Sequence, residues 1–214
     1  MKKIITKIIP AHAYIPLVSV LSFNCLVYYG ARLFNSGRVH YSLKTGIDEM
    51  IPFLPFFVIF YILAFVQWAA GYLLIARESR EICYLFCSAD LIAKLLTFIC
   101  FLILPTCMER PVLNGNGIWD RLVGMIYSTD AADNLFPSIH CLESWMCFQS
   151  SFYLRKVPRV YILFSLLMTL LVCASTVCLK QHLFADIPAG ILAAQIGIWA
   201  ARHFKIYKIF GIRR

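Results

Sequence analysis

Two histidines stand near polar partners whose types and spacing could carry out covalent chemistry. His182 is followed four residues later by Asp186, and His140 follows a Pro-Ser-Ile run. Residues four apart share one face of a helix, so the Asp186 carboxylate would meet the His182 ring. A carboxylate beside an imidazole fixes its tautomer and supports positive charge on the ring. A nucleophile with an orienting group is typical of covalent catalysis, so we predict His182, His140 and Asp186 as catalytic residues.

Positive charge and free backbone N–H groups are expected around the same histidines. Arg110, which precedes a proline in the longest connection, and Lys180, just before the second histidine, could grip an oxyanion. Pro137 suits the first position of a helix, where its missing N–H costs nothing. The N–H groups of Ser138 and its neighbour Ile139 would then face an anion at the helix N-terminus. The sequence therefore predicts an anion site.

A metal ion and a disulfide are two other interpretations of this region. His140, His182 and Asp186 are residue types that bind zinc, but the adjacent cations would repel a metal ion. We therefore expect no metal and no other cofactor. Most of the nine cysteines lie in apolar runs and lack C-x-x-C spacing, which favours a packing role. A disulfide between Cys107 and Cys141, which flank the site region, is left open.

The elements that must position these residues are membrane helices. Of the 214 residues, 61% are hydrophobic and 14% charged, with a mean hydropathy of +0.75. A soluble domain carries about 25% charged residues. The apolar residues form six long runs, each close to the length that crosses a bilayer: 13–34, 52–75, 82–104, 137–154, 160–178 and 184–203. We predict one all-α domain over 1–214, a polytopic six-transmembrane-helix bundle with connecting loops at 35–51 and 105–136.

The basic residues orient this bundle. Thirteen of the 20 Lys and Arg residues fall on the side of the N-terminus: Lys2, Lys3, Lys7, Arg77, Arg80, Arg155, Lys156, Arg159, Arg202, Lys205, Lys208, Arg213 and Arg214. Six fall on the opposite side, and Lys94 lies inside the third run. The positive-inside rule predicts both termini in the cytoplasm and the histidines on the outer face of the plasma membrane. Because the charge follows topology, we expect no nucleic-acid partner despite the net charge of +9.

Besides the site residues and the charges near helix ends, three ionisable residues fall inside the predicted membrane helices. Asp90 and Lys94 are four residues apart, and Lys94 is too deep to reach an outer phosphate, which favours a structural ion pair. Glu143 lies almost one turn beyond His140. It could tune that histidine or pack within the bundle, and the sequence does not decide between these two roles.

Together these residues resemble the motifs of the type 2 phosphatidic acid phosphatase superfamily, lipid phosphate phosphatases related to vanadium haloperoxidases. The family pattern is K-x6-R-P, then P-S-G-H, then S-R-x5-H-x3-D. The matching positions are Arg110 and Pro111, then Pro137, Ser138 and His140, then Ser175, His182 and Asp186. Three positions depart from the pattern, because Ile103 stands for the lysine, Ile139 for the glycine and Thr176 for the arginine.

The departures bear on both the charge and the reaction. Lys180 could restore one missing cation, and Arg121 or Lys44 could supply the other. An aliphatic residue at Ile139 is similar to the inositol phosphorylceramide synthase branch, whose members transfer a phospho-headgroup. The resemblance therefore leaves a headgroup transferase open, and a non-catalytic lipid-binding or transport relative as well.

The resemblance implies a metal-independent membrane phosphatase that hydrolyses a lipid phosphate or pyrophosphate through a phosphohistidine. His182 would attack phosphorus, Asp186 would stabilise the imidazolium, and His140 would protonate the leaving alkoxide. The phosphate oxygens would be held by the remaining motif residues: Arg110, Lys180, Ser138, Ile139 and Ser175. The expected partners are the lipid phosphate and the bilayer. The identity of the lipid and the oligomeric state stay open.

Overall fold

The computed structural model describes residues 9–113, 115 and 117–211. Within these ranges the regular elements are helices, joined by turns and two isolated backbone bridges, so the predicted all-α class is confirmed. Five basic residues that entered the predicted orientation lie outside the described residues: Lys2, Lys3, Lys7, Arg213 and Arg214.

Eight helices make up the described part of the chain. In order they are α1 (Ala11–Asn35), α2 (Gly46–Met50), α3 (Pro55–Glu78), α4 (Arg80–Ile103), α5 (Ile118–Thr129), α6 (Ile139–Ser151), α7 (Val160–Cys178) and α8 (Asp186–His203). A short 3-10 turn, Ile206–Phe210, follows α8 and packs against α4. The π-helical stretch Leu26–Gly30 lies within α1.

Four of these helices, α1, α3, α4 and α7, are long and apolar enough to cross a membrane. Even α7, with 19 residues, reaches about 28 Å at the helical rise, which is close to the thickness of the hydrocarbon core. Leucine and phenylalanine side chains on α7 are exposed, among them Leu163, Phe164 and Leu167. A helix that crosses a bilayer exposes apolar side chains to lipid, and these residues of α7 suit that contact.

The other two predicted spans, α6 and α8, form helices as well. α6 has 13 residues and reaches only about 20 Å, and it is buried against α7, α8, α3 and α4. α8 packs most extensively against α4. Glycines allow this close approach, because a Cβ at Gly197 would overlap the Ala89 carbonyl oxygen of α4. Both helices carry polar residues, which explains why they are less apolar than the other four.

A buried ionic cluster joins the middle of α4 to α6 and α3. Lys94 Nζ lies 2.9 Å from Asp90 Oδ2 and 2.5 Å from Glu143 Oε1. Tyr72 donates from its hydroxyl to Glu143 Oε2 at 2.8 Å. The predicted Asp90–Lys94 pair is therefore present, and Glu143 belongs to it, so packing within the bundle is the role the structure shows for Glu143.

The two longer connections contain helices of their own. The predicted loop 105–136 contains the amphipathic α5, and the predicted loop 35–51 contains α2. Thr45 and Asp48 cap α2 reciprocally, in a capping box. Backbone bridges from Tyr41 to Thr106 and from Cys107 to Asp133 tie the connections together over the end of the bundle. Both helices were missed because they are short and lack a long apolar run.

The basic connections gather at the opposite end of the bundle. Lys156 Nζ donates to the carbonyl oxygens of Arg77 and Glu78, each at 2.5 Å, which closes the end of α3. The Arg202 guanidinium lies 4.9 Å from the ring centroid of Tyr153. The basic connections thus lie at one end of the bundle, and the histidines lie at the other.

Candidate active site

The turn between α7 and α8 holds His182 against Asp186. Lys180 has a φ of 51°, and the N–H groups of Gln181 and His182 both donate to the Thr176 carbonyl, at 2.9 and 3.0 Å. The chain reverses there, and His182 Nδ1 comes to lie 3.1 Å from Asp186 Oδ2. The predicted contact is present. The predicted helix face is wrong, because His182 lies in the turn and only Asp186 belongs to α8.

His140, in the first turn of α6, lies next to this pair. Its ring centroid is 5.7 Å from that of His182. The rings of Tyr61 and Trp68 on α3 stand 4.3 and 5.3 Å away, so aromatic side chains form one wall around it. His140 Nε2 is buried and has no hydrogen-bond partner among the described residues. The structure therefore brings the two predicted histidines together and leaves one ring nitrogen free for a ligand.

The start of α6 differs from the prediction. Pro137 is not the first helical residue, because Ser138 takes the N-cap position that serine favours and accepts from the Cys141 N–H at 3.4 Å. The Ser138 N–H donates to the Asp186 carbonyl at 3.1 Å, so it is not free to bind an anion. Ile139 packs against Phe101 and its neighbours. Ser138 thus fixes α6 to α8, and its N–H and hydroxyl both have partners within the protein.

The hydroxyl of Ser175 also has a partner within the protein. Ser175 is completely buried in α7, and its hydroxyl donates to the Val172 carbonyl at 2.7 Å. Its neighbour Thr176, which stands at the family's arginine position, is equally buried and donates to the Cys173 carbonyl. Both residues belong to the regular part of α7, which leads into the turn that carries His182.

Arg110 and Lys180 reach the site, but other groups of the protein already accept from several of their donors. Arg110 donates to the Asp130 carbonyl at 2.7 Å and to the Gln181 side-chain oxygen, and its Nε is buried without a partner. Lys180 Nζ donates to the carbonyl oxygens of Asp48 and Ile51, at 3.0 and 2.6 Å. A phosphate would have to share these cations with the protein.

Of the two residues considered for the second missing cation, Lys44 lines the cleft and Arg121 does not. Lys44 shares this cleft with Lys180 and pairs with Glu49 at 3.2 Å. Arg121 is exposed on α5 and is not among the residues that line the cleft. Ile103, at the family's lysine position, is 74% exposed near the end of α4.

Two cavities meet at His182. A cleft of about 950 Å³ opens between the two longer connections, and its wall combines charged and apolar residues, including Lys44, Lys180, Arg110, Phe53, Val177 and Leu183. A much smaller cavity, about 40 Å³, lies between His182 and His140 and is also lined by Asp130 and Gln181. A substrate held in the cleft would therefore meet His182 first, with His140 behind it.

Sequence reasoning missed the polar network around Asp130. Its carboxylate accepts from the hydroxyls of Tyr28 and Tyr61, at 2.6 and 2.8 Å. Burial alone would raise the pKa of Asp130, but His140 and these two hydroxyls lower it below its usual value. The tyrosines come from α1 and α3, far away in the chain. No spacing pattern connects the tyrosines to Asp130. The only indication in the sequence was that Asp130 lies in the longest connection, next to the predicted site.

Asp48 was missed for a similar reason. Its carboxylate accepts from the Phe184 N–H at 2.6 Å and from the Thr45 hydroxyl at 2.7 Å. Burial alone would raise the pKa of Asp48, but these hydrogen bonds and the nearby Lys180 lower it. Asp48 thus connects α2 to the turn that carries His182.

The cysteines and possible metal ligands can be located directly. Cys107 and Cys141 are both free, and Cys141 is buried with its Sγ 3.9 Å from the Thr176 hydroxyl. Across the described ranges, no group of three His, Cys, Asp or Glu side chains has an arrangement that could hold a metal ion.

Comparisons with models of protein families, with curated proteins and with solved structures found no match to this chain. Its function must therefore be argued from the geometry of the site.

Proposed function

We propose that this chain is an integral membrane phosphohydrolase that cleaves a lipid phosphate or pyrophosphate through a phosphohistidine on His182. The observation that carries this proposal is the His182–Asp186 pair at 3.1 Å, placed where a large cleft meets the cavity that contains His140. A nucleophile with an orienting carboxylate and a second proton carrier across a small cavity is an arrangement suited to group transfer.

The reaction would proceed in two displacements. Asp186 holds His182 Nδ1, so Nε2 carries the lone pair that attacks phosphorus. A P–N bond forms, the P–O bond to the lipid breaks, and the leaving oxygen takes a proton from His140. Water then gives one of its own protons to the neutral His140 and attacks the phosphohistidine, which releases phosphate and restores both rings. The ring of His140 lies 5.7 Å from that of His182, centroid to centroid, so the proton donor is next to the nucleophile.

The cleft favours a substrate with one polar and one apolar end. Lys180 and Lys44 stand beside Phe53, Val177 and Leu183 in its wall, so a phosphate headgroup and the start of a lipid chain would both find partners. Positive side chains neutralise the charge that phosphoryl oxygens carry in the transition state. The apolar part of the wall continues towards the ends of α3 and α7, two of the helices able to cross a membrane.

We also propose that α6 and α8 complete a six-helix membrane bundle in the plasma membrane, with the histidines on the outer face. The support comes from their packing between the longer helices and from the separation of the basic connections from the site end. The positive-inside rule then assigns the basic end, and with it both termini, to the cytoplasm.

The test is phosphate release by purified protein over a panel of phosphatidate, phosphatidylglycerophosphate and polyprenyl pyrophosphate. We expect His182→Ala to abolish release and His140→Ala to lower it by about 10²–10⁴-fold. His203→Ala is the matched control, because His203 stacks on Trp199 at the other end of α8. Absence of release from every substrate by the wild-type protein would refute the proposal.

A headgroup transferase is the second candidate, and one feature of the small cavity favours it. Ile139, Phe101 and Leu135 form part of its wall, which makes that side apolar and disfavours water as the acceptor. Adding a polyol or lipid alcohol to the same assay separates the two functions. A phosphodiester product with little free phosphate supports transfer, and free phosphate alone supports hydrolysis. A protein that binds the lipids without either product is a non-catalytic lipid-binding relative.

A further inference from the structure

Gln181 lies between the predicted nucleophile and the arginine of the proposed site. It directly precedes His182 in the chain, it is only 2% exposed, and it lines the small cavity that contains both histidines. Its backbone is fixed to the end of α7, because the Gln181 N–H donates to the Thr176 carbonyl at 2.9 Å. A polar side chain buried at this point requires partners for both ends of its amide.

The two ends of the Gln181 amide face different groups. Nε2 donates to the Tyr61 hydroxyl at 3.4 Å and to Asp130 Oδ2 at 3.5 Å. Oε1 accepts from Nη2 of Arg110. The reversed amide would place its N–H groups against the guanidinium, which has only donors to offer. The amide oxygen is therefore turned towards Arg110.

Arg110 keeps N–H groups on two of its nitrogens without a partner among the described residues. Nη1 donates to the carbonyl oxygens of Tyr127 and Asp130, at 3.3 and 2.7 Å, and Nη2 uses one of its N–H groups for Gln181. The second N–H of Nη2 remains, as does the N–H of the buried Nε. Two N–H groups of one guanidinium can bind two oxygens of a phosphate at once. Arg110 lines the large cleft, so an oxyanion in that cleft is the ligand that these donors suit.

We propose that Gln181 is a positioning residue of this site: by accepting from Arg110, it fixes that cation beside the turn that carries His182. The other contacts of Arg110 come from its own connection, namely the carbonyl oxygens of Tyr127 and Asp130 and the Tyr127 ring, whose centroid lies 4.3 Å from the guanidinium carbon. Gln181 is the contact that belongs to the His182 turn. Without it, the separation of Arg110 from His182 is no longer fixed, and group transfer requires both at one phosphoryl group. This catalytic consequence rests on the proposed function.

Gln181→Met removes the amide and keeps a side chain of similar length. We expect the affinity of the purified protein for inorganic phosphate, measured by isothermal titration calorimetry in detergent, to fall about tenfold. Gln181→Asn, whose amide is too short to reach Arg110, is a second variant and should give a similar loss. Gln195→Met is the matched control, because Gln195 is exposed on α8, lines neither cavity and accepts from Trp145. Its affinity for phosphate should equal that of the wild-type protein.

Arg110→Ala separates positioning from a general contribution to the fold. If Gln181 acts through Arg110, adding Gln181→Met to Arg110→Ala changes the phosphate affinity by less than about twofold, because the group that Gln181 positions is already absent. A loss of about tenfold in both backgrounds would show that Gln181 supports the fold independently of Arg110, which overturns the inference.

A second measurement uses the wild-type protein and requires no turnover. With ¹⁵N-labelled arginine, the Nε–H signal of Arg110, assigned with Arg110→Lys, reports the contacts of this group in detergent micelles. We expect inorganic phosphate to move this signal and to slow its exchange with water, because Nε–H then gains an acceptor. A signal that does not respond to phosphate overturns the inference, even if neither Gln181 variant folds.

The possible outcomes separate this inference from the proposed function. If the wild-type protein releases phosphate from a lipid but Gln181→Met binds phosphate as Gln195→Met does, the role of Gln181 is refuted and the function stands. If the wild-type protein is inactive on every substrate, the function fails, and the phosphate affinities still decide the role of Gln181. A wild-type protein that does not bind phosphate refutes that role as well. A loss of about tenfold in Gln181→Met that disappears in Arg110→Ala supports the inference.

Discussion

Asp186→Asn should slow turnover about 100-fold without a comparable change in substrate binding, and the size of this effect follows from the geometry. The carboxylate lies 3.1 Å from His182 Nδ1, and the two side chains are only 9% and 1% exposed, so solvent screens their interaction weakly. At an effective dielectric constant near 20, a full charge on the ring at that distance gains about 5 kcal/mol.

The ring of His182 acquires its positive charge as the P–N bond forms, so only part of this energy acts on the barrier. With about half of the charge developed in the transition state, the loss is about 2.7 kcal/mol, which corresponds to roughly a 100-fold lower kcat. In the wild-type protein the Leu183 N–H donates to Asp186 Oδ2 at 2.9 Å, and the side-chain oxygen of an asparagine can still accept this hydrogen bond. The turn should therefore keep its shape.

The assay is steady-state phosphate release on the best substrate of the panel, with kcat and KM measured separately. We expect KM to change by less than about threefold, because the charge pair acts in the transition state more than in the bound state. Asp120→Asn on α5 is the control for the loss of an acidic group. A kcat for Asp186→Asn within threefold of the wild-type value would show that the carboxylate does not support His182.

Three further predictions concern the parts of the fold that hold the site. Lys94→Met leaves the buried carboxylates of Asp90 and Glu143 without a cation, and we expect a loss of about 3–5 kcal/mol in detergent unfolding experiments. Gly190→Ala puts a Cβ against the N-cap carbonyl of α6, and we expect about 1–3 kcal/mol of overpacking together with lower turnover. The pKa of Asp48 is lowered in the folded protein, so its ionised carboxylate stabilises the fold fully above the ordinary pKa of 3.8. This stabilisation is lost as the pH falls through the lower pKa of the folded state. We therefore expect the melting temperature of Asp48→Asn to decrease less in acid than that of the wild-type protein.

Matched variants keep these three predictions specific. Gly124→Ala adds a Cβ at an ordinary 3.6 Å contact on α5, so it should be tolerated where Gly190→Ala is not. Replacing Asp90 and Glu143 by Asn and Gln in the Lys94→Met variant should recover part of the lost stability, because no unpaired charge is then buried. For Asp48, Glu49→Gln is the control, because Glu49 is exposed and its pairing with Lys44 is screened. Equal effects in a variant and its control would contradict the corresponding prediction.

The helices could be predicted from the sequence because a membrane helix is a long uninterrupted apolar run. The predicted range 160–178 coincides with α7, and the other five runs fall within a few residues of helices. The short helices α2 and α5 could not be predicted in this way. Their stability depends on a cap and on one apolar face packed over the end of the bundle, and neither leaves a long apolar run.

The catalytic part of the candidate site was easier to predict than its surroundings. His182 and Asp186 are four residues apart, and the order of the predicted helices places both histidines at the same end of the bundle. Ser138 was assigned to phosphate because the sequence does not show that its N–H meets the Asp186 carbonyl. The partners of Asp130 lie 69 and 102 residues away, and only the packing of α1 and α3 brings them near it.

The most direct test of the account is to trap the phosphoenzyme with a radiolabelled lipid phosphate and locate the label. Trypsin would cleave after Lys180 and Arg202, which gives a peptide in which His182 is the single histidine; His140 falls in a different peptide, from residue 122 to residue 155. We predict an acid-labile, alkali-stable label on the His182 peptide. The label should be absent in His182→Ala and should increase relative to turnover when water attack is slowed. Turnover with no label on that peptide, or undiminished turnover in His182→Ala, would contradict it.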